Sequence, residues 1–167
     1  FSEELPGDVA EALQASGMDP HLLELELSEV TLMGDVAHAL RLLGALKRIG
    51  VRIAIDDFGT GYSSLAQLKR FPFDFVKIDR SFIAGVDTNP EDAAIAAAII
   101  AMAHSLHLRV VAEGVETRGQ LDVMRSLRCD EIQGYYFSRP VAADQFEEML
   151  RKGALLPPSE SGMHYHI

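Results

Sequence analysis

One cysteine, Cys129, stands alone in 167 residues, so no disulfide forms within the chain. That suits a reducing cytoplasm and leaves a small buried side chain as its simplest role. Positive charge is scarce: 15 lysines and arginines face 25 aspartates and glutamates, for a formal net charge of -10. The balance excludes a nucleic-acid polymer held on a basic surface. It leaves room for a small phosphorylated ligand if cations offset the acid. Long apolar runs are missing as well. The most apolar stretch, residues 93–103, falls well short of the roughly 20 residues that cross a bilayer. No membrane segment is therefore expected in this chain, and attachment of a longer parent protein is left open. There is no signal peptide pattern and no internal repeat.

What is present is enough for one domain with a real core, 48% hydrophobic and 24% charged. The opening Phe1-Ser2-Glu3-Glu4-Leu5 reads as the middle of something longer, so the chain is expected to be a fragment. Apolar periodicity and end signals divide it into alternating elements. Helices are expected over residues 8–16, with Asp8 as N-cap and Gly17 at the end, over 35–49, ending at Gly50, and over 63–69. Three more are expected over 90–106, where Pro90 suits a first turn, over 118–127 and over 143–152. Strands are expected over 22–28, 51–56, 73–79, 108–112 and 131–135. Residues 1–152 form the domain in this reading, and 153–167, rich in Pro, Ser and His, form a disordered tail.

Strand alternating with helix is the pattern of a parallel sheet covered by helices. Along each strand the side chains sort by face. Ile53 and Ile55 oppose Arg52, Ala54 and Asp56, while Val76 and Ile78 oppose Phe75, Lys77 and Asp79. One face is aliphatic and the other gathers ionisable groups at the strand ends. A doubly wound sheet would want both faces apolar, whereas a (β/α) barrel with its site at the C-terminal mouth fits the asymmetry. The fold class expected is thus α/β, a partial TIM-type barrel. Five strands are present, and about three of eight are expected to be missing from the N-terminal side.

The strand ends carry the chemistry. Arg52-Ile53-Ala54-Ile55-Asp56-Asp57-Phe58-Gly59 brings two adjacent carboxylates to the point where a strand meets a glycine turn, and Glu26 stands near the end of the strand before it. Ionised carboxylates are acceptor-only oxygen ligands of the type Mg²⁺ or Mn²⁺ prefers. Gathered without cations they would repel one another, and capping of a helix by Asp56 or Asp57 is the bland alternative. Lys77 on the pocket face needs a partner, and Asp79 is one candidate. Its functional reading is a cation beside a bound water or a phosphate oxygen. Glu113 stands at another strand end before Gly114, with Glu116 placed to cap the next helix. Gln133 and Tyr135 offer an amide and a phenol suited to a nucleobase or ribose, although Tyr135 is more simply a core aromatic.

Five segments in order, covering residues 1–150, resemble one family. They are Glu26-Leu27-Ser28-Glu29; Asp56-Asp57-Phe58-Gly59-Thr60-Gly61-Tyr62-Ser63-Ser64-Leu65; Val76-Lys77-Ile78-Asp79-Arg80-Ser81-Phe82-Ile83; Val111-Ala112-Glu113-Gly114-Val115-Glu116-Thr117; and Gln133-Gly134-Tyr135-Tyr136-Phe137-Ser138-Arg139-Pro140. Together they resemble the C-terminal two thirds of an EAL domain, the bacterial cyclic-di-GMP phosphodiesterases. The resemblance implies hydrolysis of one phosphodiester of cyclic-di-GMP to linear pGpG with Mg²⁺ or Mn²⁺, in second-messenger signalling. It implies Glu26, Asp56 and Asp57 as metal ligands. Lys77 and Asp57 would act at the nucleophilic water, and Glu113 would hold the metal–water cluster. Glu29 would anchor the loop over residues 57–64, Asp79 and Glu116 would support the site, and Gln133 would bind substrate. Sensory or diguanylate-cyclase domains upstream are implied as well.

The family's Glu-Ala-Leu strand and an asparagine-bearing strand would lie before Phe1. Glu11-Ala12-Leu13 spells the same letters inside an amphipathic helix pattern and is a coincidence. Because two ligands would be absent, a cyclic-di-GMP receptor or inactive interaction module is the alternative function. A third reading is an unrelated metal-dependent barrel using Lys77 to abstract a proton. An open barrel would expose a strand edge, so self-association as a homodimer is expected of the isolated chain.

Overall fold

The computed structural model describes residues 2–29, 31, 35–60 and 68–153, and the backbone of residues 164 and 165. It divides into two compact units, Phe1–Lys77 with Ala103–Arg109, and Ile78–Met102 with Val110–Ile167.

In the first unit, α1 (Leu5–Ser16) starts earlier than Asp8 because Pro6 suits a first turn, where a missing N–H goes unnoticed. Asp8 lies inside that turn, favourably placed toward the helix dipole. Gly17 closes the helix in a left-handed conformation, φ 66°. A 3₁₀ turn (Pro20–Leu22), capped by the Asp19 carboxylate, leads into β1 (Glu24–Ser28). The Asp35 side chain accepts from the His38 N–H at 3.0 Å to begin α2 (Val36–Ile49), which buries Ala39, Leu42, Leu43 and Leu46 and stops at Gly50. Next, β2 (Arg52–Phe58) pairs with β1 in parallel, with Leu25 opposite Ile53, Leu27 opposite Ile55 and Ser28 opposite Asp56.

The Asp74 N–H donates to the Ile53 carbonyl at 2.8 Å, which sets β3 (Phe75–Ile78) beside β2. Asp74 also receives Lys47 Nζ at 2.7 Å and the Ile53 N–H at 2.8 Å, joining the end of α2 to the starts of both strands. Charge-assisted bonds of this kind are roughly twice as strong as neutral ones. All four residues of β3 are buried, as are Ile53, Ala54 and Ile55.

The second unit begins at the last residue of β3. Asp79 caps a single turn, α3 (Arg80–Ile83), that the sequence reading passes over as a plain connection. The Ala-rich α4 (Pro90–Ser105) runs from this unit into the first. From β4 (Arg109–Ala112) the chain enters a turn where the Glu113 N–H donates to the Ile78 carbonyl at 3.2 Å. Helix α5 (Arg118–Ser126) opens with a capping box, in which Thr117 and Gln120 satisfy each other's backbone N–H groups. Glu116 therefore does not cap this helix; its own N–H donates to the Gln120 side chain at 2.7 Å. The Thr-x-x-Gln spacing was readable in advance.

β5 (Glu131–Ile132) pairs with β4 in parallel, Val111 opposite Glu131 and Ala112 opposite Ile132. It is shorter than the 131–135 expected, because the chain turns at Gly134. Cys129 beside it is 1% exposed, and burial pushes its thiol up to about 12. Last come α6 (Ala143–Lys152) and β6 (His164–Tyr165), the latter running parallel to β5.

Every strand pair with a described register is parallel, as the alternation of elements requires. The helix expected over 63–69 lies mostly outside the described residues, and so does most of the tail. β6 is a strand that the sequence reading does not contain.

Candidate active site

The site is built where strands end. In the first unit Lys77 is nearly enclosed, with 5% of its side chain exposed, and reaches Glu26 Oε1 at 2.5 Å and Asp56 Oδ1 at 3.8 Å. A buried ammonium needs compensation by opposite charge, and here it comes from two strands at once. The carboxylates face outward more, Glu26 at 47% and Asp56 at 28% exposure. Lys77 is thus a buried cation beneath two more exposed carboxylates. Two carboxylates meet one ammonium, so one negative charge is in excess before Asp57 is counted.

Asp57 turns the chain. Its φ of 53° is unusual for a residue with a side chain, though Asp tolerates it better than most. The Asp57 N–H donates to Asp56 Oδ1 at 2.9 Å, and the Thr60 N–H and hydroxyl both donate to the Asp57 carbonyl, at 3.2 and 2.8 Å. Strained backbone of this sort is kept where side-chain direction matters. Through the bend, Asp56 and Asp57 offer carboxylate oxygens within 4.8 Å of each other. This all-oxygen donor set, with excess negative charge, fits a hard divalent cation such as Mg²⁺ or Mn²⁺.

Glu29 is 2% exposed, and its Oε2 accepts from the Gly59 N–H at 3.2 Å. Such a bond to a charged acceptor contributes about 1.5–3 kcal/mol. The remainder of the loop it was expected to anchor, residues 61–64, lies outside the described residues. Replacing Glu29 by Ala is expected to speed amide exchange at Gly59 by about tenfold or more and to lower activity through the loop. Unchanged protection at Gly59 alongside lost activity would mean that Glu29 acts on the chemistry itself.

In the second unit Asp79 accepts from the Ser81 N–H at 3.0 Å and from its hydroxyl at 2.5 Å. The bond from the Ser81 hydroxyl, helped by backbone N–H groups and the Arg80 charge, holds the Asp79 carboxyl below its usual range. A lowered folded-state pKa adds stability that is present above the unfolded value, about 3.9, and is lost as pH falls through the folded value. The melting-temperature difference between the wild type and Ser81→Ala is therefore expected to be full near neutrality and to shrink below about pH 4. A difference independent of pH would detach Ser81 from that carboxylate.

Glu113 is half-buried at the end of β4, and Glu116 is exposed beyond it. Gln133 and Tyr135 lie on the turn after β5 and line a cavity of about 310 Å³ with Ser138, Arg139 and Phe146. Tyr135 is not the core aromatic its type suggests. It is 51% exposed, with the Arg139 guanidinium 4.7 Å from its ring centre, a stacked cation–π pair. Arg139 escaped the sequence reading as a site residue, although a guanidinium close to a tyrosine at a strand end is the signal that would have found it.

The EAL domain family model matches residues 1–140. The chain is 50% identical over 147 residues to cyclic di-GMP phosphodiesterase NbdA of Pseudomonas aeruginosa, an alignment covering 88% of this chain and 19% of that protein. The chain thus spans about a fifth of the length of the curated relatives it matches. Among solved structures, the EAL domain of Mycobacterium smegmatis DcpA superposes with a TM-score of 0.89 at 37% identity, over 94% of this chain and 70% of that one. BlrP1 of Klebsiella pneumoniae, in a complex with manganese and cy-diGMP, superposes with a TM-score of 0.78 at 33% identity, over 84% of this chain and 36% of that one. The α/β fold class read from the sequence is the one these structures share. Among the described residues no helix is long and apolar enough to cross a membrane.

Proposed function

This chain belongs to the EAL domain family, and from that premise we propose that it is the site-bearing part of a metal-dependent phosphodiesterase that opens cyclic-di-GMP to linear pGpG. The observation that carries the reading is Lys77, buried and paired with the more exposed Glu26 and Asp56. A core has no use for such a group, whereas phosphodiester hydrolysis has several.

Glu26, Asp56 and Asp57 would hold Mg²⁺ or Mn²⁺, which when bound supplies a water of lowered pKa and neutralises charge on the phosphate. The remaining chemistry belongs to the chain. The Lys77 ammonium, fixed by Glu26, orients the attacking water and stabilises negative charge as it builds on the phosphoryl oxygens. Asp57 would share in binding the cation, and Glu113 would accept a hydrogen bond from the attacking water. Asp79 and Glu116 keep the flanking turns in place. Gln133 presents its amide to a guanine edge, and the cavity beside Tyr135 and Arg139 has the size and stacked surface a purine asks for.

The test incubates the intact protein with cyclic-di-GMP, with and without Mg²⁺ or Mn²⁺, and follows pGpG by chromatography while calorimetry reports binding. Metal-dependent pGpG formation is the expected result. Tight binding without turnover in either metal would favour the receptor reading, and no binding at all would end the proposal.

A further inference from the structure

Gly134 has no room for a side chain, and the obstacle is backbone. A Cβ built there would lie 2.1 Å from the Val115 carbonyl oxygen and 2.4 Å from its nitrogen, far inside the 3.0 Å that real Cβ atoms respect. Its φ is not in the left-handed region, so close approach alone demands glycine. Two backbone bonds pass across the contact: the Val115 N–H donates to the Gln133 carbonyl at 3.1 Å, and the Tyr136 N–H donates to the Val115 carbonyl at 3.0 Å. On the other side of the same turn Gly114, φ 72°, has its missing Cβ position 2.6 Å from Arg80 Cβ. Below, the Glu113 N–H is tied to Ile78. The turn carrying Glu113 is thus clasped between the turn after β3 and the turn after β5, without a methyl group's clearance on either side.

We infer that Gly134 is a positioning residue for Glu113: by letting the turn after β5 seat against Val115, it fixes where the Glu113 carboxylate stands relative to the cavity at Gln133 and Tyr135. The inference rests on the proposed role of Glu113 in holding the reacting water. A Cβ at position 134 forces the two turns apart by on the order of 1 Å, a misplacement that can cost about a hundredfold in rate.

The experiment compares Gly134→Ala with Leu121→Ala, a fully buried core position on α5, in the intact protein. Both are expected to lower the melting temperature. Only Gly134→Ala is expected to reduce kcat per folded molecule, by about a hundredfold, with most of the loss in kcat rather than KM. It alone should also speed amide exchange at Val115 and Tyr136, by about tenfold. Wild-type kcat in folded Gly134→Ala, or an equal kcat loss in Leu121→Ala, would overturn the inference.

If the wild type proves not to hydrolyse cyclic-di-GMP, the functional reading fails by itself. Exchange at the two amides then decides the clasp, and unchanged protection in Gly134→Ala refutes it. Should Gly134→Ala not fold, Gly114→Ala puts the same question from the side where Arg80 is the obstacle. Wild-type kcat there would likewise overturn it.

Discussion

Asp56→Asn is expected to leave the protein folded and to remove metal-dependent turnover. Asn keeps the shape and an oxygen to accept the Asp57 N–H, which Asp56 Oδ1 now receives at 2.9 Å. It also keeps the buried Ile53 and Ile55 packing untouched. What it deletes is one negative charge. Metal-assisted activation of water and phosphate supplies several kcal/mol of transition-state stabilisation, and losing about 4 kcal/mol is roughly a thousandfold in rate. The melting temperature should change little: relief of repulsion with Asp57, whose carboxylate lies within 4.8 Å, is set against the weakened 3.8 Å pairing to Lys77, which keeps Glu26 as its partner. Initial rates at saturating Mg²⁺ or Mn²⁺ settle the matter. Near-normal turnover would remove Asp56 from the metal-binding set.

Lys77→Met is the second large effect expected. Methionine fills the lysine's path through the core but brings no charge to the carboxylates above it. Turnover should fall by about 10²- to 10⁴-fold, the range for a positioned group that assists proton transfer or charge development. The stability cost should be moderate. Breaking a buried pair can cost about 3–5 kcal/mol when the remaining charge stays buried. Here Glu26 is 47% and Asp56 28% exposed, and both can recover water, so about 1–2 kcal/mol is the better expectation. Denaturant titration beside steady-state kinetics separates the two effects. Turnover within threefold of wild type would leave Lys77 as a structural cation only.

Much of this was legible in the residues, for physical reasons that also mark where legibility ends. Helix α2 announces itself through Asp35, an apolar stripe and Gly50, each of which acts within a few residues. The bounds of α6 also agree with those expected, 143–152, although Ala142 at its start offers no side-chain cap and the stop at Gly153 is the clearer signal. The alternation of Ile53, Ile55 and Asp56 along one strand shows which side faces the helices, because pleating is local. What one strand says to another is harder to read. Lys77 was visible as a charge needing a partner, but its pairing with Glu26 depends on neighbouring strands and their register. Asp79, the candidate two residues away in sequence, is engaged by Ser81. Thr117, not Glu116, caps α5, and its capping box with Gln120 is a local Thr-x-x-Gln signal. Strand β5 ends at Ile132, short of the 135 expected, because the close approach of Gly134 to Val115 is a tertiary fact that no residue on its own announces.

The lone cysteine has a practical bearing on how these ideas can be tested. A thiol whose pKa stands at about 12 presents on the order of one thiolate in 10⁵ molecules at neutral pH. Cys129 is also 1% exposed, with its Sγ donating to the Glu131 carbonyl at 3.2 Å. Alkylating reagents act through the thiolate and need access, so the native sulfur is silent toward them. A reporter cysteine introduced at an exposed position such as Thr60, which donates to Asp57, would therefore react in preference to Cys129, which can be left in place. Fluorescence or spin labels could then follow the turn at Asp57 while substrate and cation are added, with Cys129 and the core packing around it left unchanged.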